Sequence, residues 1–376
     1  MRQSIYLDCN ASTPLRASAQ AAMVDALASV GNPSSVHRYG RLARRLVEDA
    51  RERVASLVGA APRQVAFTGG ATEANNWAMH GTNRSRRLAS AVEHPSVLAT
   101  ATDIEIVPVD GDGVVDLAAL EHMLAQGDRP AIVALQLANN ETGVVQPVAE
   151  AARIAHAAGA LLHCDAVQAA GRIPVDFGAL GADLLSVSAH KIGGPQGAGA
   201  LVIADGIATV AMQRGGGQEL GRRAGTENVA AIAGFGAAAH ELHQGWLAEA
   251  AKLAALRDRL EDGIRQIAPA ASILGSTVAR VPNTVCVATA GAANDVQVMA
   301  LDLAGIAVSA GAACSSGKVG RSHVLAAMGV ASGLAASAIR VSVGWHNEAA
   351  DIDRFLDAWR VLALRDEKNS AAAPAA

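Results

Sequence analysis

The sequence has few of the features that mark extracellular, metal-binding or membrane proteins. Its four cysteines, Cys9, Cys164, Cys286 and Cys314, lie far apart and form no C-x-x-C pair. A zinc or iron–sulfur site needs closer ligands, and this spacing also argues against an extracellular disulfide framework. No uncharged apolar run reaches membrane-spanning length, and the first residues contain no apolar core of signal-peptide length. We therefore expect a cytoplasmic protein.

A strong charge of either sign is also missing. The formal net charge is −4 and only 18% of residues are charged, which argues against nucleic acid or an anionic membrane surface as a partner. Hydrophobic residues make up 51% of the sequence, which supports a sizeable core and argues against disorder. The length of 376 residues is enough for two domains, or for one large domain with an appendage.

Two common site signatures are incomplete. Residues Gly69–Asn76 follow a predicted strand and open a helix, but they match neither G-x-G-x-x-G nor a P-loop. Small residues there would still let backbone N–H groups approach an anion, although a tight turn with Thr72 as helix N-cap is an alternative. The run His240–His243 has the spacing H-E-x-H and not H-E-x-x-H, so we predict a polar helix face and no zinc site.

What is present is an alternation of strand and helix patterns, which predicts a mostly parallel sheet. Polar residues stand where the predicted strands end: Thr68, His94, Asn140, Asp165, Ser188, His190 and Lys191. Because such ends meet in one crevice of an α/β sheet, we expect these side chains to share a pocket. For single residues other interpretations stay open, since His94 could be a capping histidine and Asn140 part of a turn.

Asp165 and Lys191 are the most informative of these residues. Pyridoxal phosphate needs an amine to hold it covalently and a carboxylate to keep its pyridine nitrogen protonated, and this pair would supply both. The alternative is that Asp165 caps a turn and Lys191 is a solvated strand end. The coincidence of polar residues at successive strand ends favours the cofactor site.

The remaining chain offers further candidates. Gly215–Asn228 is a glycine-rich loop that cannot pack a core and must wrap a ligand or reach a partner. Cys314 lies among small residues, with Lys318 and Arg321 nearby, which favours an accessible thiolate. Arg340, on an apolar strand, predicts a carboxylate or phosphate partner. In the first long helix we predict a buried face of residues with helical spacing: Leu42, Leu46, Ala50, Val54 and Leu57.

Taken together, the motifs resemble those of the group I (NifS/IscS-type) cysteine desulfurases, in the class V aminotransferase family of fold-type I pyridoxal-phosphate enzymes. The resemblance covers nearly the whole chain in order. The matching motifs are Y-L-D-x-x-A-x-T-P, T-x-G-A-T-E, E-H-P, N-N-E-x-G, H-x-D-A-x-Q, S-A-H-K, G-G-G-Q-E-x-G, A-C-S-S and S-x-I-R-x-S.

The resemblance implies a role for each site residue. Lys191 would carry the cofactor and remove the substrate Cα proton, Asp165 would pair with the ring nitrogen, and His94 would stack on the ring. Gln168 and Asn140 would lie near the ring hydroxyl and the substrate. The phosphate would be held by Ala71, Thr72, Ser188 and His190, with Thr226 from the other subunit of a homodimer.

Two further residues would handle the substrate. By the same resemblance, Arg340 would grip the α-carboxylate of L-cysteine, and Cys314 would attack its sulfur. The products would be alanine and a persulfide on Cys314, which would pass the sulfur to an acceptor such as an iron–sulfur scaffold protein. No resident metal site is predicted, although Cys314 would be able to ligate iron transiently during the transfer.

The implied architecture is an α/β fold. A large domain with a mainly parallel seven-stranded sheet between helices would span residues 15–245. A smaller α+β domain, formed by residues 1–14 and 246–376, would carry the cysteine loop. The alternatives are a selenocysteine lyase, a class V aminotransferase with no use for Cys314, and a non-enzymatic iron–sulfur scaffold, which the intact Lys191 argues against.

Overall fold

The structure is a computed structural model that describes residues 4–127, 129–289, 292–311 and 321–371. Its helices are α1 (Ala17–Leu27), α2 (Arg38–Leu57), α3 (Ala71–Gly81), α4 (Pro95–Leu98), α5 (Leu117–Ala125), α6 (Val148–Ala157), α7 (Phe177–Leu180), α8 (Val229–Ile267), α9 (Asn294–Leu303), α10 (His323–Ala327), α11 (Ser332–Ala335) and α12 (Ala349–Ala371). Short 3₁₀ helices lie at Pro62–Gln64, Ala189–Lys191 and Gln218–Gly221.

The strands form one large and two small sheets. They are β1 (Ile5–Tyr6), β2 (Val65–Thr68), β3 (Arg86–Ser90), β4 (Glu105–Val107), β5 (Ala131–Ala134), β6 (Leu161–Asp165), β7 (Leu184–Ser188), β8 (Gly199–Ile203), β9 (Ser272–Ile273), β10 (Thr284–Ala288), β11 (Ile306–Ala307), β12 (Ser309–Ala310) and β13 (Ile339–Ser342).

The large sheet has seven strands in the order β2-β8-β7-β6-β5-β3-β4. Strand β8 is antiparallel to both of its neighbours, and the other pairs are parallel. Strands β6 and β7 are short, begin with apolar residues and are buried along their whole length. Such burial is typical of parallel strands covered by helices on both faces. The predicted α/β fold with a mainly parallel seven-stranded sheet is therefore confirmed.

One of the two smaller sheets joins parts of the chain that are distant in sequence. One is antiparallel, in the order β12-β13-β10-β9, and in the other β1 pairs in parallel with β11 through Ile5 and Ile306. A second hydrophobic cluster packs here, and it combines Ile5 and Leu7 with Phe355 and Trp359. The N-terminal residues thus belong to the core that the C-terminal part of the chain builds.

Helix α8 connects the two main hydrophobic clusters. Its first half contributes Phe235 and Leu242 to the core of the large sheet, and its second half contributes Leu253 and Leu260 to the other core. The domain boundary predicted at 245/246 falls within this continuous helix. The division of the chain into two domains stays a prediction.

The predicted buried face of helix α2 is partly wrong. Ala50 and Val54 are buried, but Leu42 is 49% exposed, and Ala43 and Val47 take its place. Helix α2 packs so closely on α8 that a Cβ added at Gly236 would lie 2.5 Å from the Cα of Ala50. Small side chains are therefore required where Ala50 meets Gly236, and Leu42 lies on the exposed side of the helix. Among the described residues, no helix combines the length and hydropathy that a bilayer span requires.

Candidate active site

A cavity of about 590 Å³ opens at the carboxyl ends of the large sheet's parallel strands. This volume is within the usual range for a small-molecule site. Most of the residues predicted for the site line it: Ala71, Thr72, His94, Asn140, Asp165, Gln168, Ser188, His190, Lys191 and Arg340. The strand-end pattern in the sequence therefore did indicate one shared pocket.

The carboxylate of Asp165 ends strand β6 and is nearly buried, at 7% exposure. One oxygen accepts a hydrogen bond from the side-chain amide of Asn75 at 2.8 Å, and the other accepts from the backbone N–H of Val167 at 3.0 Å. The amide of Asn75 also donates to Ser96 Oγ at 2.9 Å. Helix α3, which contains Asn75, therefore fixes the orientation of a carboxylate at the cavity wall.

Lys191 ends the 3₁₀ turn that follows strand β7. Its Nζ donates to the carbonyl of Asn10 at 2.5 Å and to that of Ala11 at 2.9 Å. The side-chain amide of Gln168 also donates to the Asn10 carbonyl, at 3.0 Å. The guanidinium of Arg172 donates to the other end of that amide, Gln168 Oε1, which fixes how the amide is oriented.

Two histidines of the cavity have pKa values below the ordinary value. Burial lowers the pKa of His94, and the positive charges of Lys191 and His323 lower it further, while Asp165 opposes the shift. His94 Nδ1 accepts from the backbone N–H of Ser96 at 3.1 Å, so the neutral ring carries its proton on Nε2. Burial, followed by the charges of Lys191 and Arg172, lowers the pKa of His190 to about 4. Both rings are therefore neutral at pH 7.

The first turn of helix α3 also lines the cavity. Gly70 is its N-cap, with a φ of 150° and no side-chain cap, so the alternative that Thr72 caps this helix is wrong. Strand β8 passes close by, because a Cβ added at Gly199 would lie 2.8 Å from the backbone of Gly70. Backbone N–H groups at such a helix start favour a bound anion.

Arg340 is buried in strand β13, at 3% exposure. One terminal nitrogen donates to the Asn140 carbonyl at 3.0 Å, and the other donates to the carboxylate of Asp8 at 2.7 Å. Its buried Nε has no hydrogen-bond partner within the described part of the chain. The guanidinium lines the cavity and is already paired with the carboxylate of Asp8, so its role in binding a substrate anion stays a prediction.

Two predicted site residues are not among those that line the main cavity. Thr226 is exposed and borders another cavity of about 240 Å³, which shares Gly69 and Gly197 with the first. Cys314 lies outside the described residues. Its predicted role is therefore a proposal that rests on the sequence.

Several residues in and behind the cavity wall could not be assigned a role from the sequence. Asn75, Ser96 and Arg172 hold the side chains of Asp165, His94 and Gln168 in place, and the backbone of Asn10 accepts from Lys191. Asn75 lies in the Gly69–Asn76 run, and its polarity on an otherwise buried helix face was the one available signal.

A lysine and an acid at the carboxyl edge of a parallel sheet, beside a helix N-terminus that favours an anion, define the class of pyridoxal phosphate-binding enzymes. The chain belongs to the Aminotransferase class-V family, whose model matches residues 5–355. The family predicted from the motifs is confirmed, and the enzymes of this family use pyridoxal phosphate as cofactor.

Curated relatives and a solved structure agree on this assignment. A protein named cysteine desulfurase from Cereibacter sphaeroides is 46% identical over 370 residues, which are 94% of each chain. An IscS-like cysteine desulfurase from Mycobacterium tuberculosis is 38% identical over 370 residues, again 94% of each chain. The X-ray structure of a NifS-like protein from Rickettsia africae superposes with a TM-score of 0.89 at 36% identity, covering 96% of this chain and 99% of that one.

The described residues fit pyridoxal phosphate. The buried Asp165 carboxylate, held by two neutral donors, suits a protonated ring nitrogen. The uncapped start of helix α3 suits the phosphate, and Lys191 lines the same cavity. Arg340 places a positive charge in the wall of the same cavity, which suits a substrate anion.

Proposed function

We propose that the protein is a pyridoxal phosphate-dependent cysteine desulfurase, which converts L-cysteine to L-alanine and collects the sulfur on Cys314. The observation that carries this proposal is the single cavity that combines Lys191, Asp165, His94 and Arg340, in a chain 46% identical to a protein of that name.

The cofactor-binding residues divide by the part of the ligand they serve. Lys191 would hold the cofactor through its amine, and Asp165 would accept a hydrogen bond from the ring nitrogen. His94 would lie against the ring, while Gln168 and Asn140 would serve the ring hydroxyl and the substrate. The phosphate is held by the start of helix α3 and the end of strand β7: Ala71, Thr72, Ser188 and His190.

The substrate is handled by two basic residues and a thiol. Arg340 binds the α-carboxylate, for which its fork-shaped guanidinium is suited, and Lys191 removes the Cα proton. When bound, pyridoxal phosphate supplies an electron-withdrawing ring that accepts the electron pair released at Cα. The Cys314 thiolate then attacks the substrate sulfur. The C–S bond breaks, its electron pair stays with the carbon fragment, and protonation of that fragment gives alanine.

The direct test is mass spectrometry of Cys314 after L-cysteine is added to the cofactor-loaded enzyme. We expect one additional sulfur atom on Cys314 and an equivalent amount of alanine, and neither product in a Cys314→Ala variant. Keto acid in place of alanine would indicate an aminotransferase. Turnover of selenocysteine that survives Cys314→Ala, with loss of turnover on cysteine, would indicate a selenocysteine lyase.

The acceptor of the sulfur is a protein such as an iron–sulfur scaffold. Transfer of labelled sulfur from Cys314 to a purified scaffold protein tests this part of the proposal, and label that stays on Cys314 contradicts it. A cytoplasmic location, tested by cell fractionation, stays a prediction.

The protein functions as a homodimer in which Thr226 reaches the partner's site. Exposed large apolar side chains on helices α1 and α2 and the segment between them support a subunit interface, because a concentration of such side chains marks an interaction site. They are Val24, Leu27, Val30, Val36, Tyr39 and Leu42.

Co-expression of Lys191→Ala chains with Thr226→Ala chains tests this arrangement. If Thr226 acts across the interface, each mixed dimer contains one site with both residues intact, and activity returns. If Thr226 serves its own chain, no site in the mixed dimer is intact and activity stays low. Sedimentation of the wild-type protein as a monomer would contradict the dimer itself.

A further inference from the structure

The N-N-E-T-G motif contains a buried carboxylate that the proposed mechanism does not use. Glu141 follows Asn140 directly and is 3% exposed. Its backbone N–H donates to Asn139 Oδ1 at 2.8 Å, and Asn139 also donates to the carbonyl of Val92 at 3.1 Å. The motif is therefore a rigid turn, and Glu141 projects from it in a fixed position.

The side chain of Glu141 contacts two residues that lie far away in sequence but close to each other in space. Ser322 Oγ donates to Glu141 Oε2 at 2.6 Å. The same oxygen lies against Gly311, where any added Cβ would clash with it. Gly311 and Ser322 flank the stretch that contains Cys314, so one carboxylate oxygen touches both flanks of that stretch.

Each flank is also connected to the rest of the fold. Gly311 directly follows β12, which pairs with β13 so that Ser309 is opposite Arg340. On the other side, Ser322 caps helix α10 by accepting from the backbone N–H of Leu325 at 3.1 Å. The next residue, His323, donates from Nε2 to the carbonyl of Glu93 at 2.8 Å, immediately before the cavity residue His94.

The charges around Glu141 come from these same elements. Burial raises the pKa of Glu141, while the Ser322 hydrogen bond and the charges of His323 and Arg340 oppose that shift. The carboxyl group therefore contacts both flanks of the cysteine segment and is also close enough to Arg340 to interact with its charge.

We propose that Glu141 is a positioning residue that fixes Gly311 and Ser322, and with them the attachment points of the Cys314 segment, relative to the cavity. The proposal rests on the proposed function, because it assumes that Cys314 receives the sulfur. Glu141 does not touch the reacting atoms and acts through the two flanking residues. Misplacement of a nucleophile by a distant substitution can cost a large factor in rate even when the substrate still binds.

The first test measures the resting enzyme and requires no turnover. Tryptic cleavage after Lys318 and Arg321 is followed by mass spectrometry in Glu141→Ala and in Ser322→Ala, which removes only the hydroxyl. We expect about tenfold faster cleavage in both variants, the effect of losing one buried hydrogen bond. The matched control is Ser337→Ala, because Ser337 is also buried and its hydroxyl donates to Leu334 at 2.8 Å near the end of another short helix. We expect the control to be cleaved at the wild-type rate.

The second test separates positioning from substrate binding. For persulfide formation we expect kcat to fall about tenfold in Glu141→Ala and Ser322→Ala, with KM within about twofold of wild type. A double variant no slower than either single variant is expected, since both remove the same contact. Wild-type cleavage rates, or a loss confined to KM, would overturn the proposal. If the wild-type enzyme itself forms no persulfide, the proposed function fails instead, and the cleavage result still decides on the role of Glu141.

Discussion

Glu93 gives the fold a pH dependence that can be calculated from its surroundings. The side chain is fully buried, its Oε1 accepts from the backbone N–H of Gln136 at 2.7 Å, and its Oε2 has no hydrogen-bond partner in the described chain. Burial, helped by the negative charge of Asp165, raises its pKa from 4.5 to about 8. The folded protein therefore holds a proton on Glu93 that the unfolded chain has released at neutral pH.

The sign and size of the effect follow from that difference. Because the pKa of Glu93 is raised in the folded state, its stabilising contribution is complete below pH 4.5 and is lost as the pH rises to about 8. Over this range the free energy of unfolding falls by about 1.4 kcal/mol per pH unit, roughly 5 kcal/mol in all. Between pH 6.5 and 8.5 the expected loss is about 2 kcal/mol.

Between pH 6.5 and 8.5 the contribution of Glu93 to stability can be distinguished from those of groups whose contributions change at lower or higher pH. Burial lowers the pKa of His163 and of His190 from 6.5 to about 4, so their contributions to stability change mainly between these two pH values. Burial raises the pKa of the Cys9 and Cys286 thiols to about 12, so theirs change at higher pH. Within the window, Glu93 is the main contributor among these groups.

The assay is urea denaturation of the wild-type protein, Glu93→Gln and the exposed-site control Glu52→Gln, all at equal cofactor concentration. Glutamine mimics the protonated carboxyl, so we expect the Glu93→Gln variant to lose about 2 kcal/mol less than wild type between pH 6.5 and 8.5. The Glu52→Gln control should follow wild type. Parallel loss of stability in wild type and Glu93→Gln would refute the reasoning.

Three other predictions follow from the cavity and the second core. Arg340→Lys retains the positive charge but loses the planar guanidinium that can donate two parallel hydrogen bonds. We expect kcat/KM for L-cysteine, measured by alanine release, to fall about 10- to 100-fold, and an unchanged value would contradict the carboxylate-binding role. Gly199→Ala forces a Cβ against the backbone of Gly70. We expect about 1–3 kcal/mol of destabilisation in thermal unfolding and weaker binding of pyridoxal phosphate in a fluorescence titration. An unchanged cofactor affinity would argue against a phosphate site at the start of helix α3. Trp359→Ala should cost about 3–5 kcal/mol in denaturant unfolding, because Trp359 is 1% exposed in the second core; a cost under about 1 kcal/mol would contradict that packing.

Much of the active site could be predicted from the sequence because its chemistry is concentrated at strand ends. Asp165 and Lys191 each follow a short apolar run, and parallel strands bring such ends together whatever else the chain does. Asn75 could not be assigned a role in the same way. It reaches Asp165 across 90 residues, and only the packing of helix α3 against the sheet makes them neighbours.

Helix α2 shows a second limit of sequence-based prediction. Its leucines suggested the buried face, but the close approach of Gly236 to Ala50 admits only small side chains. In an alanine-rich sequence, side-chain size and hydrophobicity predict different faces, and the distance between helices decides which one is buried. The left-handed conformation of Glu219, with a φ of 48°, is likewise set by tertiary contacts, because Glu219 forms a buried ion pair with Arg51 at 2.7 Å.

The pairing of β1 with β11 has a consequence for how the protein is made. Strand β1 leaves the ribosome early, but its partner at Ile306 and the neighbouring β13 are synthesised some three hundred residues later. Until then Ile5 and Leu7 have no native surface to cover them, whereas the strands of the large sheet can already pair. During synthesis the large sheet can therefore form while the apolar side chains of β1 are still exposed, and a chaperone that covers this strand should raise the yield of active enzyme.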